Sequence, residues 1–209
     1  AQPGLFASLA VANAGALRNK GDAEGALTVA RNALACLNGD GDKSTTLGRA
    51  ELLHLVGVSL ESQGRRDDAL EPLTQALHLY EAQGDTYHQG RVHNDLGIVR
   101  SRLGHMARAL THYRLAVHHN RAGENPAGLA SALHNLATLY EHQGDLELAR
   151  ATLTEALSAA QAAGSLRLHG YCRRELGDLA YAAGAYGEAA GHLDAALELF
   201  GEAREAALA

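Results

Sequence analysis

Twelve histidines are the first candidates for metal binding or proton transfer in this sequence. No two of them are four residues apart and the HExxH pattern is absent, so no single helix offers two metal ligands on one face. No Ser/His/Asp or Cys/His spacing indicates a nucleophilic site either. We therefore predict no metal site, no cofactor and no enzymatic activity.

The segment 38–45 (NGDGDKST) resembles two ligand-binding loops but completes neither. In a calcium loop, Lys43 would take the position of the required glycine and Arg49 that of the bidentate glutamate. In a phosphate loop, the glycine that should precede Lys43 is missing. We interpret this segment as a solvated connector between two helices.

Composition and charge exclude several classes of partner. The net charge is −6 and aromatic residues make up 4% of the chain, which argues against direct binding of nucleic acid by charge or by base stacking. No apolar run is long enough for a membrane span, and no secretory signal opens the sequence. Cys36 and Cys172 are far apart and fit no metal pattern, as is usual for reduced cysteines. We predict a cytoplasmic protein.

An internal repeat organises the whole chain. Five glycines are spaced 43, 40, 40 and 40 residues apart, and an alanine follows five residues after each. A second alanine comes seven residues further on, and another small residue stands seven residues before each of the last four glycines. The glycines are Gly21, Gly64, Gly104, Gly144 and Gly184; the preceding small residues are Gly57, Gly97, Ala137 and Gly177. Between them, apolar residues recur at helical spacing.

These positions have a direct physical interpretation. Glycine can end a helix with a left-handed residue, and small side chains let two antiparallel helices approach closely. The pattern is similar to that of the tetratricopeptide repeat (TPR) family, and the segment 136–156 matches it best. The period of 40 resembles the long-repeat type of this family. HEAT and armadillo repeats have a comparable period but do not place glycine and alanine at these offsets.

The resemblance implies an all-α, right-handed α-α superhelix of about five helical hairpins. We expect one TPR domain over residues 1–209, with repeats at about 4–38, 45–84, 85–124, 125–164 and 165–203. The expected helices cover about 4–19, 22–37, 45–63, 66–83, 86–103, 106–122, 127–143, 146–163, 166–183 and 186–203.

In TPR arrays the first helix of each hairpin lines a concave groove, and the resemblance implies the same here. Three residues before each small residue stands a ladder of polar side chains, which we expect to face solvent or a ligand. Asn135 matches the asparagine of a carboxylate clamp, but the lysines of that clamp are missing. The predicted partner-binding residues are His54, Arg91, Asn94, Ile98, Arg102, His134, Asn135, Thr138, Glu141 and Arg174.

The third repeat is basic in an acidic chain. From Arg91 to Arg121 there are six arginines and five histidines against the single acid Asp95. We predict that Arg91 and Arg102 project into the groove and attract an acidic segment of a protein or peptide partner.

The abundance of alanine and arginine favours a bacterial source with GC-rich DNA. The long-repeat arrays that this chain resembles occur in bacterial transcriptional regulators, behind an ATPase module. The resemblance therefore implies a protein-binding module that is the sensor or regulatory part of a larger regulator. The alternative is a free-standing TPR adaptor or scaffold protein.

Overall fold

The computed structural model describes residues 3–37 and 43–207, and these residues form ten α-helices joined by short turns. Most of the connector 38–45 lies outside the described residues, so its interpretation stays a prediction. The helices are α1 (Pro3–Asn19), α2 (Ala23–Cys36), α3 (Lys43–Ser62), α4 (Arg66–Gln83), α5 (Thr86–Arg102), α6 (Met106–Ala122), α7 (Pro126–Gln143), α8 (Leu146–Ala162), α9 (Leu166–Ala182) and α10 (Tyr186–Ala206).

The repeated glycines end the first helix of each hairpin. Gly144 follows α7 with φ = 84°, a left-handed conformation that glycine adopts without a steric penalty. Its backbone N–H donates to the carbonyl of Glu141, and that of Asp145 donates to Tyr140. Asn125 begins α7 by accepting a hydrogen bond from the N–H of Gly128. The chain therefore reverses direction at positions that its sequence specifies.

The prediction of an all-α fold with about five hairpins is confirmed. Every predicted helix is present, and no strand occurs among the described residues. Most helix ends lie within a residue or two of their predicted positions. The last helix differs most, since α10 continues to Ala206 instead of ending near residue 203.

The chain divides into two compact units, Ala1–His112 and Tyr113–Ala209, and the division falls inside α6. In unit 1 the hairpins α1–α2 and α3–α4 stack with α5. In unit 2 the hairpins α7–α8 and α9–α10 stack together. We call α1, α3, α5, α7 and α9, which open the hairpins, the A helices, and the helices that follow them the B helices.

Within each unit the A helices lie closer together than the B helices. Cα atoms of α3 approach those of both α1 and α5 within 8 Å, and the same holds for α7 and α9. Among the described residues, no such approach joins α2 to α4 or α8 to α10. Each unit is therefore narrower on the side of its A helices, which we call the A-helix face.

Close packing inside the hairpins explains the small residues of the repeat. A Cβ atom added at Gly57 would lie 2.5 Å from Leu73, and one added at Gly177 would lie 2.9 Å from Leu193. The repeated alanines of the B helices, such as Ala69 and Ala149, are fully buried. The two helices of the α3–α4 and α9–α10 hairpins thus pack closely because glycine has no side chain at the point of closest approach.

None of the described helices is long and apolar enough to cross a bilayer.

Candidate functional site

The ten predicted partner-binding residues all lie on A helices and divide equally between the two units. Unit 1 carries five of them on α3 and α5, and unit 2 carries five on α7 and α9. They are His54, Arg91, Asn94, Ile98 and Arg102 in unit 1, and His134, Asn135, Thr138, Glu141 and Arg174 in unit 2. We therefore describe the A-helix face of each unit separately.

In unit 1 the ladder residue His54 is buried, so it does not face bulk solvent, and its predicted role in partner binding stays a prediction. Only 5% of its surface is exposed. Its Nε2 lies 2.6 Å from Oδ2 of Asp95, so the ring on α3 donates a hydrogen bond to a carboxylate on α5. A polar side chain can be buried here because the neighbouring A helix supplies its partner.

The same contact recurs in unit 2. Nε2 of His134 on α7 lies 3.0 Å from Oε1 of Glu175 on α9. The hydroxyl of Thr138 lies 3.3 Å from the other oxygen of Glu175 and donates to it. Burial by itself would raise the pKa of Glu175, but the hydrogen bond and charge of His134, together with Arg174, outweigh burial and hold that pKa below its usual range. Glu175 is therefore a carboxylate fixed between two A helices.

These histidine–carboxylate contacts follow a sequence signal that the groove prediction missed. Both join residues 41 positions apart, one repeat plus one residue. Asp95 and Glu175 occupy the register of Asn135, one repeat before it and one repeat after it. A search of the sequence for an acid 41 residues after each ladder histidine would have found both contacts. In repeats two and four, the ladder position therefore holds adjacent A helices together.

The basic third repeat is partly neutralised by acids from other repeats. Arg102 forms an ion pair with Glu61 of α3, and Arg121 forms one with Glu155 of α8. Arg102 was predicted to project into the groove and attract an acidic partner. Its ion pair with Glu61 offsets part of its charge, and its role in partner binding stays a prediction.

Arg91 contributes to a cavity of about 120 Å³ in unit 1, which Val11 and Leu55 also line. Arg18 of α1, Glu51 and His54 of α3, and Tyr80 of α4 line this cavity with it. The Tyr80 side chain is fully buried, and its hydroxyl makes no hydrogen bond to any residue in the described part of the chain. Burial, followed by the nearby charge of Glu51, raises the pKa of this tyrosine, so it remains a neutral hydroxyl. We call this space the Tyr80 cavity.

A second, smaller depression lies further along the same face. Val58, Glu61, Asp95 and Ile98 line it, over a floor that includes Leu73. Ile98 is half-buried here, as expected for an apolar residue on a mostly polar face. The A-helix face of unit 1 therefore offers two recesses, one lined by Arg18 and Arg91 and one by Ile98 and Val58.

The remaining predicted residues are partly or well exposed. Asn94, Asn135 and Glu141 are half-buried, and both asparagines have interactions of their own. Arg174 is exposed and lies 5.4 Å from the centre of the Tyr171 ring. Their predicted role in partner binding stays a prediction.

Metal binding finds no support in the geometry. Across residues 3–37 and 43–207, no three histidine, cysteine or acidic side chains come together as a metal would require. Cys172 is buried on α9, and burial raises the pKa of its thiol to about 12, so it is an unreactive thiol.

The hairpins, left-handed turn glycines and closely packed A helices define an α-helical repeat fold of the TPR type. The family comparison agrees for the second half of the chain: residues 128–207 match the model described as Tetratricopeptide repeat.

Individual proteins are also similar to this chain in sequence or in structure. The chain is 29% identical over 121 residues to the Photosystem I assembly protein Ycf3 of Cuscuta gronovii, covering 54% of this chain and 67% of Ycf3. The structure is similar to that of BtubC (BKLC) from P. vanneervenii, with a TM-score of 0.80 and 21% identity, covering 97% of this chain and 82% of BtubC. It is also similar to a Rap protein complexed with Competence and Sporulation Factor, with a TM-score of 0.78 and 17% identity, covering 95% and 54% of the two chains.

Proposed function

We propose that this chain is a protein-binding scaffold without catalytic activity, and that the A-helix face of unit 1 holds a segment of another protein or peptide. The Tyr80 cavity is the observation that carries the proposal. It is an open recess with a buried, unpaired hydroxyl and two arginines at its border. A buried polar group without a partner costs about 1–3 kcal/mol, which a bound ligand would recover.

The chemistry of the cavity favours an acidic side chain of the partner. Arg18 and Arg91 supply positive charge, and the Tyr80 hydroxyl can donate a hydrogen bond to a carboxylate. Glu51 is the opposing charge, and His88 lies 3.7 Å from it. The Ile98 depression would accept an apolar side chain of the same segment.

The comparisons are consistent with binding but do not identify a partner. Ycf3 is named as an assembly protein, and the Rap structure contains a bound factor. The narrower proposal is that the chain is the regulatory part of a bacterial transcriptional regulator in the cytoplasm. The alternative is a free-standing adaptor or scaffold protein. The complete gene distinguishes them, since a regulator would encode a DNA-binding or ATPase domain.

Site-directed crosslinking in the native cell can find the partner. A photo-crosslinking amino acid at Ile98 should trap a defined protein, whereas one at Gln75, exposed on the B helix α4, should not. The trapped protein is then titrated against wild type and Tyr80→Phe. Since the hydroxyl has no partner among the described residues, this change should maintain or raise the stability of the chain but weaken binding by about fivefold to tenfold. Equal affinities would refute the proposed site.

A further inference from the structure

The two recesses of unit 1 lie inside the helical array. Residues of both α3 and α5 line the Tyr80 cavity and the Ile98 depression, so both recesses open into one furrow between these helices. The helix α3 has described neighbours on the A-helix face in both α1 and α5. The recesses are therefore open although the adjacent A helices are in place.

Two helices give the distance between the recesses. On α4, Tyr80 lines the cavity and Leu73 lines the depression, seven residues away. On α5, Arg91 lines the cavity and Ile98 lines the depression, again seven residues away. At a rise of 1.5 Å per residue, both helices place the recesses about 10 Å apart.

The size of each recess limits what can enter it. The Tyr80 cavity has a volume of about 120 Å³. Since a water molecule takes up about 30 Å³, the cavity has room for about four non-hydrogen atoms, as in the side chain of aspartate or glutamate. The Ile98 depression has a volume of about 20 Å³, which is enough for the end of one aliphatic side chain and too small for an aromatic ring.

The charge of the Tyr80 cavity fits one carboxylate. Arg18 and Arg91 are half-buried at its border, and neither forms an ion pair with an acid among the residues that the structure describes. Glu51 also lines the cavity, so with His54 neutral the lining carries one net positive charge. A single carboxylate balances this charge, whereas a phosphate dianion would exceed it.

We propose, on the basis of the proposed function, that the bound partner segment is extended in the polyproline II conformation and carries an acidic and an aliphatic residue three positions apart. Polyproline II has three residues per turn and a rise of 3.1 Å, so these two side chains project from one side about 9 Å apart. In a β-strand, side chains on one side are about 7 or 13 Å apart, and neither distance matches. A helix is about 10–12 Å wide and cannot enter the furrow, because Cα atoms of α3 and α5 approach within 8 Å.

The described part of this chain cannot supply such a segment to a second copy. Apart from the connector after α2, its helices are joined by turns of only two or three residues. The segment therefore belongs to another protein.

A series of peptides tests the spacing. Each peptide has a proline-rich host sequence with blocked ends and carries one glutamate and one leucine, separated by one to five positions. The peptides are titrated against the whole chain, and the methyl NMR signals of Leu55 and Ile98 report on the cavity and on the depression. The peptide with a spacing of three should bind about fourfold more tightly than the others and than its alanine analogue, since only its leucine reaches the depression.

Variants of the chain test the two assigned recesses. Tyr80→Phe and Arg91→Gln should each weaken binding by about fivefold or more, whereas Arg31→Gln, an exposed arginine on α2, should not. Exchanging the peptide's glutamate for glutamine should weaken binding to wild type by about tenfold, and by much less in Arg91→Gln. Val58→Leu fills the depression, so it should remove the advantage of the leucine peptide while binding still depends on Tyr80.

The outcomes separate this inference from the proposed function. Tightest binding at another spacing, equal binding of the leucine and alanine peptides, or no binding at millimolar peptide would overturn the spacing. The proposed function would then still stand if Tyr80→Phe weakens binding of the crosslinked partner. Affinities independent of Tyr80 and Arg91 would refute both proposals. Loss of peptide binding by the full-length gene product would assign the recesses to a segment of the same polypeptide and overturn the assignment to another protein.

Discussion

The hydrogen bond between His54 and Asp95 should be a large local contribution to the stability of unit 1. The two atoms are 2.6 Å apart, and the side chains are only 7% and 27% exposed. Asp95→Ala would leave the buried imidazole without its acceptor, which costs about 1–3 kcal/mol. This corresponds to roughly a 5-fold to 150-fold increase in the fraction of open molecules.

Amide hydrogen exchange is the appropriate assay because repeat proteins open locally and need not unfold in one step. Exchange from α3 and α5 should accelerate by at least about fivefold in Asp95→Ala. Asp68→Ala is the matched control, since Asp68 pairs with Arg65 at 2.7 Å but both side chains are about half exposed. The Asp68→Ala change should lower the free energy of local opening by less than about 1 kcal/mol.

Replacing both partners, as in His54→Leu with Asp95→Leu, should recover most of the lost stability because no polar group is then left unpaired. If Asp95→Ala and Asp68→Ala accelerate exchange equally, the buried pair contributes no more than a surface contact, and this reasoning is wrong.

Three further predictions follow from packing and burial. Gly57→Ala should destabilise the fold by up to about 2 kcal/mol, since the new Cβ would lie 2.5 Å from a leucine. A Cβ at Gly191 would meet open space, so Gly191→Ala should stabilise the fold by about 1 kcal/mol. Urea unfolding measures both changes. Ala149→Leu should cost about 1–3 kcal/mol by overpacking, and the exposed Ala151→Leu should change little in the same assay. Burial, and then the charge of Arg100, lowers the pKa of His112 in the folded state. The neutral imidazole therefore stabilises the fold fully above the unfolded pKa of about 6.5, and this stabilisation is lost as the pH falls below that value. Melting temperatures should therefore drop between pH 7.5 and 5.5, and less so in His112→Gln.

Helix positions and hairpin pairing could be predicted from sequence because both depend on local rules. Each element of the repeat pattern has one good structural explanation. These elements are the glycines at the turns, the small residues where two helices approach most closely, and the apolar stripes at helical spacing. The burial of Ala149 and the tight contact at Gly57 follow from the same rules.

The role of the polar ladder could not be predicted from helical periodicity alone. A polar stripe indicates exposure only if nothing in the fold pairs with it. His54 and His134 are paired by acids 41 residues away, and that register depends on how one hairpin stacks on the next. The ion-pair partner of Arg102 was missed for the same reason, because Glu61 is also 41 residues away.

The Tyr80 cavity could not be predicted from the sequence, for a different reason. Its walls come from α1, α3, α4 and α5, so no single segment shows the combination. Tyr80 resembles an ordinary core aromatic in sequence, and only its unpaired hydroxyl distinguishes it in the structure.

Binding of a protein segment by the A-helix face is tested most directly by charge reversal in the Tyr80 cavity. The dissociation constant of the crosslinked partner should be measured for wild type, Arg91→Glu and Arg108→Glu at low and high salt. Arg108 is exposed on the B helix α6 and serves as the control. We predict that Arg91→Glu weakens binding by about tenfold at low salt and by less at high salt, while Arg108→Glu binds like wild type. Equal dissociation constants for all three proteins at both salt concentrations would contradict the account.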